Sequence, residues 1–125
     1  MLGDKDASAT IAVRDMSVAR KFYETTLGLK KSDSSGPEVA SYKSGASRVL
    51  VYESQYAGTN KATAATWHVG DDIEGVAQAL KAKGVVFEHY DFPNTTRKGD
   101  VHVFGALKAA WFKDPDGNIL QMVNR

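Results

Sequence analysis

The chain has 125 residues, with 16 Lys and Arg against 15 Asp and Glu, three His and no Cys, a size that fits one domain burying about two thirds of its unfolded surface. A net charge of +1 lacks the basic excess of a nucleic-acid protein, and the absence of Cys removes disulfides, thiolate metal sites and a Cys nucleophile. No apolar run approaches the ~18 residues of a membrane span and the opening MLGDKDASAT has no signal-peptide core, so a cytoplasmic protein without membrane or nucleic-acid partners is expected.

The first periodic segment is Ala9–Val13, where Ala9, Ile11 and Val13 alternate with Thr10 and Ala12; a period of two predicts a strand with one apolar face. Asp15 and Ser17 offer capping oxygens, Val18, Phe22 and Tyr23 recur at helical spacing, and Gly28 is a stop, which predicts a helix over Ser17–Leu27. Short strands follow at Leu29–Ser32, Val39–Lys43 and Arg48–Glu53, punctuated by Gly36-Pro37 and Ser44-Gly45. Ser54–Lys61 is polar and reads as a loop. The pattern then restarts with a strand at Ala65–Val69, a cap at Asp71 or Asp72, an i, i+3, i+4, i+7 stripe of Ile73, Val76, Ala77 and Leu80, and a stop at Gly84. Val85–His89, Val101–Phe104, Ala109–Lys113 and Asn118–Val123 are the remaining strands, and Tyr90–Asp100 is a polar loop with one Pro and one Gly.

The spans Asp15–Gly28 and Asp72–Gly84 are nearly equal, and the order strand, helix, strands occurs twice. This points to an internal duplication within one domain over 1–125, with modules at about 7–56 and about 63–125. A half of this size is marginal alone, so its sheet must be buried against the other half or another chain.

Several local features have simple readings. Asp114-Pro115-Asp116-Gly117-Asn118 lacks the further ligands of a calcium loop and reads as a tight turn. Lys81 and Lys83 suit the negative end of the second helix and require no partner. His89 ends a strand and belongs to the surface, and Asn94-Thr95-Thr96 matches a glycosylation acceptor without a secretion signal. Trp111 and Phe112 are adjacent and must point to opposite faces. Tyr42 and Tyr52 suit either aromatic cavity walls or sheet packing, and His102 either a cavity or solvent.

The segment Ile11–Gly28, IAVRDMSVARKFYETTLG, resembles the opening of vicinal oxygen chelate proteins, the glyoxalase/bleomycin-resistance group. Ala110–Met122, AWFKDPDGNILQM, resembles that family's closing strand–turn–strand, and Asp71–Glu88 its second helix and following strand. The resemblance implies an α+β fold of two βαβββ modules, whose curled mixed sheets surround a cup-shaped cavity with the helices outside, and a homodimer. The family spans lyases, isomerases, epimerases, dioxygenases, thiol transferases and drug binders, so fold alone does not choose among them. In its catalytic members four cavity-facing His, Glu or Gln side chains hold a divalent metal. Carried onto this chain, those positions fall at Ser8, at or near Val51 or Glu53, at Ala64 or Ala65, and at Gln121.

Only Glu53 and Gln121 of these can donate to a metal, and a dedicated divalent site needs about three or four protein ligands. The expectation is therefore a protein that binds a small organic molecule without that tetrad and without a cofactor. Its cavity would be lined by Ser8, Thr10, Tyr52, Glu53, Thr66, His68, His102 and Gln121. Alternation places Trp67 and Val69 on one face and Thr66 and His68 on the other. With the larger pair against the helices, His68 points into the cavity as the candidate catalytic acid or base. The alternative is a metal-dependent lyase, isomerase or dioxygenase with a rearranged site of Glu53, His68 and Gln121. A third reading is an interaction module whose cup is filled by its own side chains.

Overall fold

The computed structural model describes residues 1–32 and 36–125. Strand β1 spans Ala9–Val13, with Ile11 and Val13 buried and Thr10 exposed, as the alternation predicts. Asp15 then caps α1 (Met16–Arg20): its Oδ1 accepts the Ser17 N–H at 2.9 Å and the Ser17 hydroxyl at 2.6 Å. The Ser17 hydroxyl and then the first-turn amides hold the Asp15 carboxyl below the usual range. The predicted single helix is in fact two geometries, because Lys21–Thr26 continues α1 as a π-helical turn. There the Leu27 N–H reaches back to the Phe22 carbonyl at 2.9 Å, a widening that side-chain periodicity over so few residues does not reveal. Met16, Ala19 and Tyr23 form the buried side of this element.

Strands β2 (Lys30–Lys31), β3 (Val39–Ser44) and β4 (Ser47–Glu53) complete the first half, in the sheet order β1-β4-β3-β2. The second half contains β5 (Thr63–His68), α2 (Ile73–Ala82), β6 (Phe87–Glu88), β7 (Thr96–Lys98), β8 (Val101–Phe104), β9 (Leu107–Lys113) and β10 (Ile119–Val123). Its sheet runs β5-β10-β9-β8-β7, with β6 also paired to β9. In both halves the opening strand lies parallel to the closing strand, which is antiparallel to the strand before it. The result is an α+β fold of two mixed, curled sheets.

Three expectations change. The strand predicted at Val85–His89 shortens to Phe87–Glu88. The segment predicted as a loop contains β7, whose three residues are all exposed and carry no apolar alternation. Lys81 and Lys83 do have partners: Lys81 Nζ pairs with Asp100 Oδ2 at 2.9 Å, and Lys83 Nζ donates to the Thr25 carbonyl at 3.3 Å. Asp72 occupies the cap position of α2 without a capping bond, its carboxylate filling the space where a Cβ on residue 75 would sit. Gly75 keeps that space open.

One face of each sheet and both helices share the main core, which joins Ile11 and Val13 to Val49, Val51, Ile73, Ala77, Phe112, Leu120 and Met122. Tyr42 belongs to this side, where it packs near Tyr23 (6.3 Å between ring centres) and donates its hydroxyl to Glu24 Oε2 at 2.8 Å.

Polar bonds around Asp114 bind the two halves together. Its Oδ2 accepts the Tyr23 hydroxyl at 2.7 Å and Asn118 Nδ2 at 2.8 Å, and its Oδ1 accepts the backbone N–H groups of Asp116 and Asn118, each at 2.9 Å. Asn118 Nδ2 also donates to the Ala12 carbonyl at 2.8 Å. Burial and the neighbouring carboxylate push the Tyr23 hydroxyl far above its ordinary range, so it remains a donor. The inter-half loop docks on the same turn: Gly58 has φ +74° and lies against the Asp116 carbonyl, where a Cβ would collide.

Removing a buried acceptor strands its donors, each at about 1–3 kcal/mol. Asp114→Ala is expected to destabilise the fold by about 3–5 kcal/mol and Tyr23→Phe by about 1–3 kcal/mol, measured by urea unfolding. Losses below about 0.5 kcal/mol for both, the range of ordinary surface substitutions, would contradict this role.

Candidate functional site

The pleat gives each sheet a second face that no helix covers. On the first sheet this face carries Thr10, Leu50 and Tyr52, because Thr10 pairs with Leu50 and Ala12 with Tyr52. On the second it carries Thr66, His68, Gln121, Trp111 and His102, through the pairs Thr66–Gln121, Gln121–Trp111 and His102–Ala109. Trp111 and Phe112 point to opposite faces, Phe112 into the main core and Trp111 into a smaller cluster. Ser8 lies just before β1, exposed, with its carbonyl accepting the Thr10 hydroxyl at 3.5 Å. Glu53 pairs with Val13 and by alternation shares the side of buried Val49 and Val51, away from Thr10, Thr66 and Gln121.

Two cavities meet where the β3–β4 turn approaches β5. Ser44, Gly45 and Trp67 line both. Trp67 Nε1 donates to Ser44 Oγ at 2.8 Å, which fixes the indole between them. One cavity, of about 330 Å³, brings Thr66 and His68 together with Arg48, Ser47 and Ala9. The other, of about 570 Å³, lies toward the helices. Thr10, Tyr52, Glu53, His102 and Gln121 line neither. Arg48, Ser44 and Ser47 escape the sequence reading: Ser44-Gly45 signals a turn, and nothing local shows that this turn meets a strand of the other half.

His102 is 1% exposed. The Tyr90 N–H donates to its Nε2 at 3.0 Å, so that nitrogen needs a free lone pair and the proton of the neutral ring sits on Nδ1. Burial pushes its pKa down, with the Ala109 backbone acting in the opposite direction. Trp111 packs edge-on at 5.0 Å, and Phe92 and Tyr90 lie at 6.0 and 6.1 Å. Tyr90 and Phe92 come from the segment predicted as a polar loop, which thus supplies an aromatic cover to the second sheet. Beside it, exposed His89 lies 2.8 Å from Asp100 Oδ1; His89 and then Lys81 hold the Asp100 carboxyl below the usual range.

The model of the Glyoxalase/Bleomycin resistance protein/Dioxygenase superfamily matches residues 7–122. The chain belongs to this superfamily. Solved structures share its fold along almost the whole length. A lactoylglutathione lyase from Agrobacterium tumefaciens has a TM-score of 0.70 at 16% identity, over 96% of this chain and 92% of that one. TnmS3, an antibiotic binding protein from Streptomyces sp. CB03234, has a TM-score of 0.66 at 18% identity, over 98% and 96%. An integron cassette protein from the mobile metagenome of the Halifax Harbour sewage outfall reaches 0.72 at 16% identity, over 98% and 99%. At such identities the likeness is one of fold. No curated protein matches the chain.

The superfamily's metal can be tested against the donors present. On β4 the residues facing as Thr10 does are Leu50 and Tyr52, and Val51 is buried in the core. Ala65 pairs with Leu120, and Ala64 is skipped by the bulge between Ile119 and Leu120; neither side chain can coordinate. Gln121 Oε1 already accepts the Thr66 hydroxyl at 2.9 Å. Among the described residues no three His, Cys, Asp or Glu side chains group closely enough to hold a metal ion. With Ser8 at the remaining position, these residues do not fit a divalent ion.

The neutral state of His102 has a pH signature. Its folded pKa lies below the ordinary value of 6.5, so its contribution to stability is complete above that pH and is lost as pH falls through the folded pKa. An NMR titration is expected to place the His102 midpoint below 6.5, and His102→Gln should flatten the loss of stability as pH falls below 6.5. A midpoint at or above 6.5 would contradict the buried neutral ring.

Proposed function

We propose that the chain is a cytoplasmic, small-molecule-binding member of its superfamily that works without a resident metal and holds its ligand against Thr66 and His68. The observation that carries this reading is the cavity of about 330 Å³ joining those two residues to Arg48 and Ser47. Its size is at the lower end of the ~300–1,000 Å³ of small-molecule pockets. It offers a hydroxyl pair, an imidazole and a guanidinium, a set suited to hydrogen-bonding an oxygenated organic molecule. His68 can accept or donate a proton there without a metal, which keeps acid–base chemistry open to this site. That TnmS3 is an antibiotic binding protein gives one precedent for binding on this fold.

The proposal includes the remaining predicted lining. Ser8, Thr10, Tyr52 and Gln121 belong to the helix-free side of the sheets, and a second copy of the chain is the proposed cover for them; His102, on the same side, already lies beneath Tyr90 and Phe92. Support comes from Val39 and Tyr52, which pair across β3 and β4 and are 42% and 38% exposed, an exposed apolar pair among the described residues. The two halves are taken as copies of one module, as their matching strand connections suggest.

Chelator-treated protein screened by thermal shift against a panel of polycyclic antibiotics and oxygenated aromatics is expected to give a ligand. Saturation to a hundredfold over Kd should stabilise by about 2.7 kcal/mol, and His68→Ala should weaken binding at least about tenfold, or about 1.4 kcal/mol. Stoichiometric Ni, Zn, Mn or Fe in the purified protein, with an activity that disappears on its removal, would overturn the metal-free reading in favour of a metal-dependent lyase, isomerase or dioxygenase. Light scattering is expected to show a dimer that Tyr52→Asp converts to monomer; a wild-type monomer at micromolar concentration would exclude the second copy.

A further inference from the structure

The larger cavity, about 570 Å³, lies on the other side of Trp67 from His68 and plays no part in the reading above. Its walls are apolar: Leu27 and Leu29 follow the first helix, Val76 and Leu80 come from α2, and Trp67 and Met122 from the second sheet. This is a volume well inside the small-molecule range, made by the halves jointly.

The charged groups lining it are both cations, Lys30 and Lys43. These two pair directly across β2 and β3, and Lys43 pairs in turn with Arg48 on β4, so three exposed cations stand abreast on neighbouring strands. Like charges directly opposite each other destabilise a sheet. Lys81, Lys108 and Lys113 each have a carboxylate beside them. Among the described residues the side chains of Lys30, Lys43 and Arg48 have no ion-pair or hydrogen-bond partner. Two unneutralised cations, Lys30 and Lys43, in the wall of an apolar chamber form a complementary surface that lacks its anion.

We propose that this chamber binds an amphipathic monoanion, with an aromatic or acyl body among Leu29, Trp67, Val76 and Leu80 and a carboxylate or sulfonate at the mouth on Lys30 and Lys43. A neutral apolar molecule would leave the cations unpaired, and a small inorganic anion would leave the apolar walls wet. The lysine stems are long enough to cover the apolar body while the ammonium groups reach the head group. The apolar contact supplies most of the affinity, since an exposed ion pair adds little, and the cations select the charge.

The test uses 1-anilinonaphthalene-8-sulfonate as a fluorescent probe, displaced by decanoate, decanol or inorganic phosphate below micellar concentrations. Decanoate is expected to displace the probe at least about five times more effectively than decanol, with phosphate inert. The Lys30→Ala/Lys43→Ala double variant should bring decanoate down to the level of decanol, whereas Lys98→Ala should leave both unchanged. Val76→Trp, which fills the chamber, should abolish displaceable binding; the lysine variants, at exposed positions, carry the test alone if that variant fails to fold. Equal displacement by decanoate and decanol, an unaltered double variant, or no probe binding would each overturn the proposal. None of these readouts involves His68, so this site and the one proposed above stand or fall separately.

Discussion

Four donors converge on the two oxygens of Asp114, and one of them, the Tyr23 hydroxyl, comes from the opposite half of the chain. A carboxylate only 5% exposed survives as an acceptor because each of these bonds compensates part of its lost hydration. The geometry that satisfies it also fixes the start of β10, and Asn118 extends the same set of bonds to the Ala12 carbonyl on β1. Since β10 pairs with β5, this turn links the two opening strands, beside the core they share. The cavities around Trp67 lie along that seam, so the site depends on a carboxylate that does not touch it.

The site itself follows from a division of faces. One face of each sheet joins the common core, the other carries Thr10, Leu50 and Tyr52 or Thr66, His68 and Trp111, and Trp67 stands at the boundary. Its indole is apolar enough to wall a chamber facing the helices, and its N–H is satisfied by Ser44. One side chain thus separates a polar cavity with an imidazole from an apolar one rimmed by lysines. The positions that the resemblance gives for the superfamily's metal ligands hold a hydroxyl, an alanine, an amide already engaged by Thr66, and a strand whose carboxylate faces the other way.

Local chemistry made much of the fold legible. Strict alternation over Ala9–Val13 locates β1 to the residue, Asp15 and Ser17 both stand out as offering capping oxygens, and Pro and Gly mark the Asp114–Asn118 turn. What stayed hidden has two causes. Some elements lack a local signal: β7 has no buried side chain, and the π-helical turn differs from an α-helix only in how far each amide reaches. Other features join distant segments. Ser44 meets Trp67 across 23 positions, Lys81 meets Asp100 across 19, and Tyr90 meets His102 across 12, and periodicity says which face a residue occupies but not which faces meet. His102, expected at a cavity or in solvent, meets neither of the two cavities nor solvent, because a returning segment covers it with Tyr90 and Phe92.

The bond from Tyr23 to Asp114 closes a span of 91 positions, and this has a consequence for synthesis. As the chain leaves the ribosome, the first helix and first sheet are complete long before the carboxylate that receives Tyr23 has been made. Until then the Tyr23 hydroxyl lacks its buried acceptor, and the shared core lacks β10. The first half is therefore a nascent segment with an apolar face waiting for its counterpart, open to holding by a chaperone or to pairing with the wrong copy. Consolidation comes last, and late, when the Asp-Pro-Asp-Gly-Asn turn emerges and long-range closure is finally rewarded.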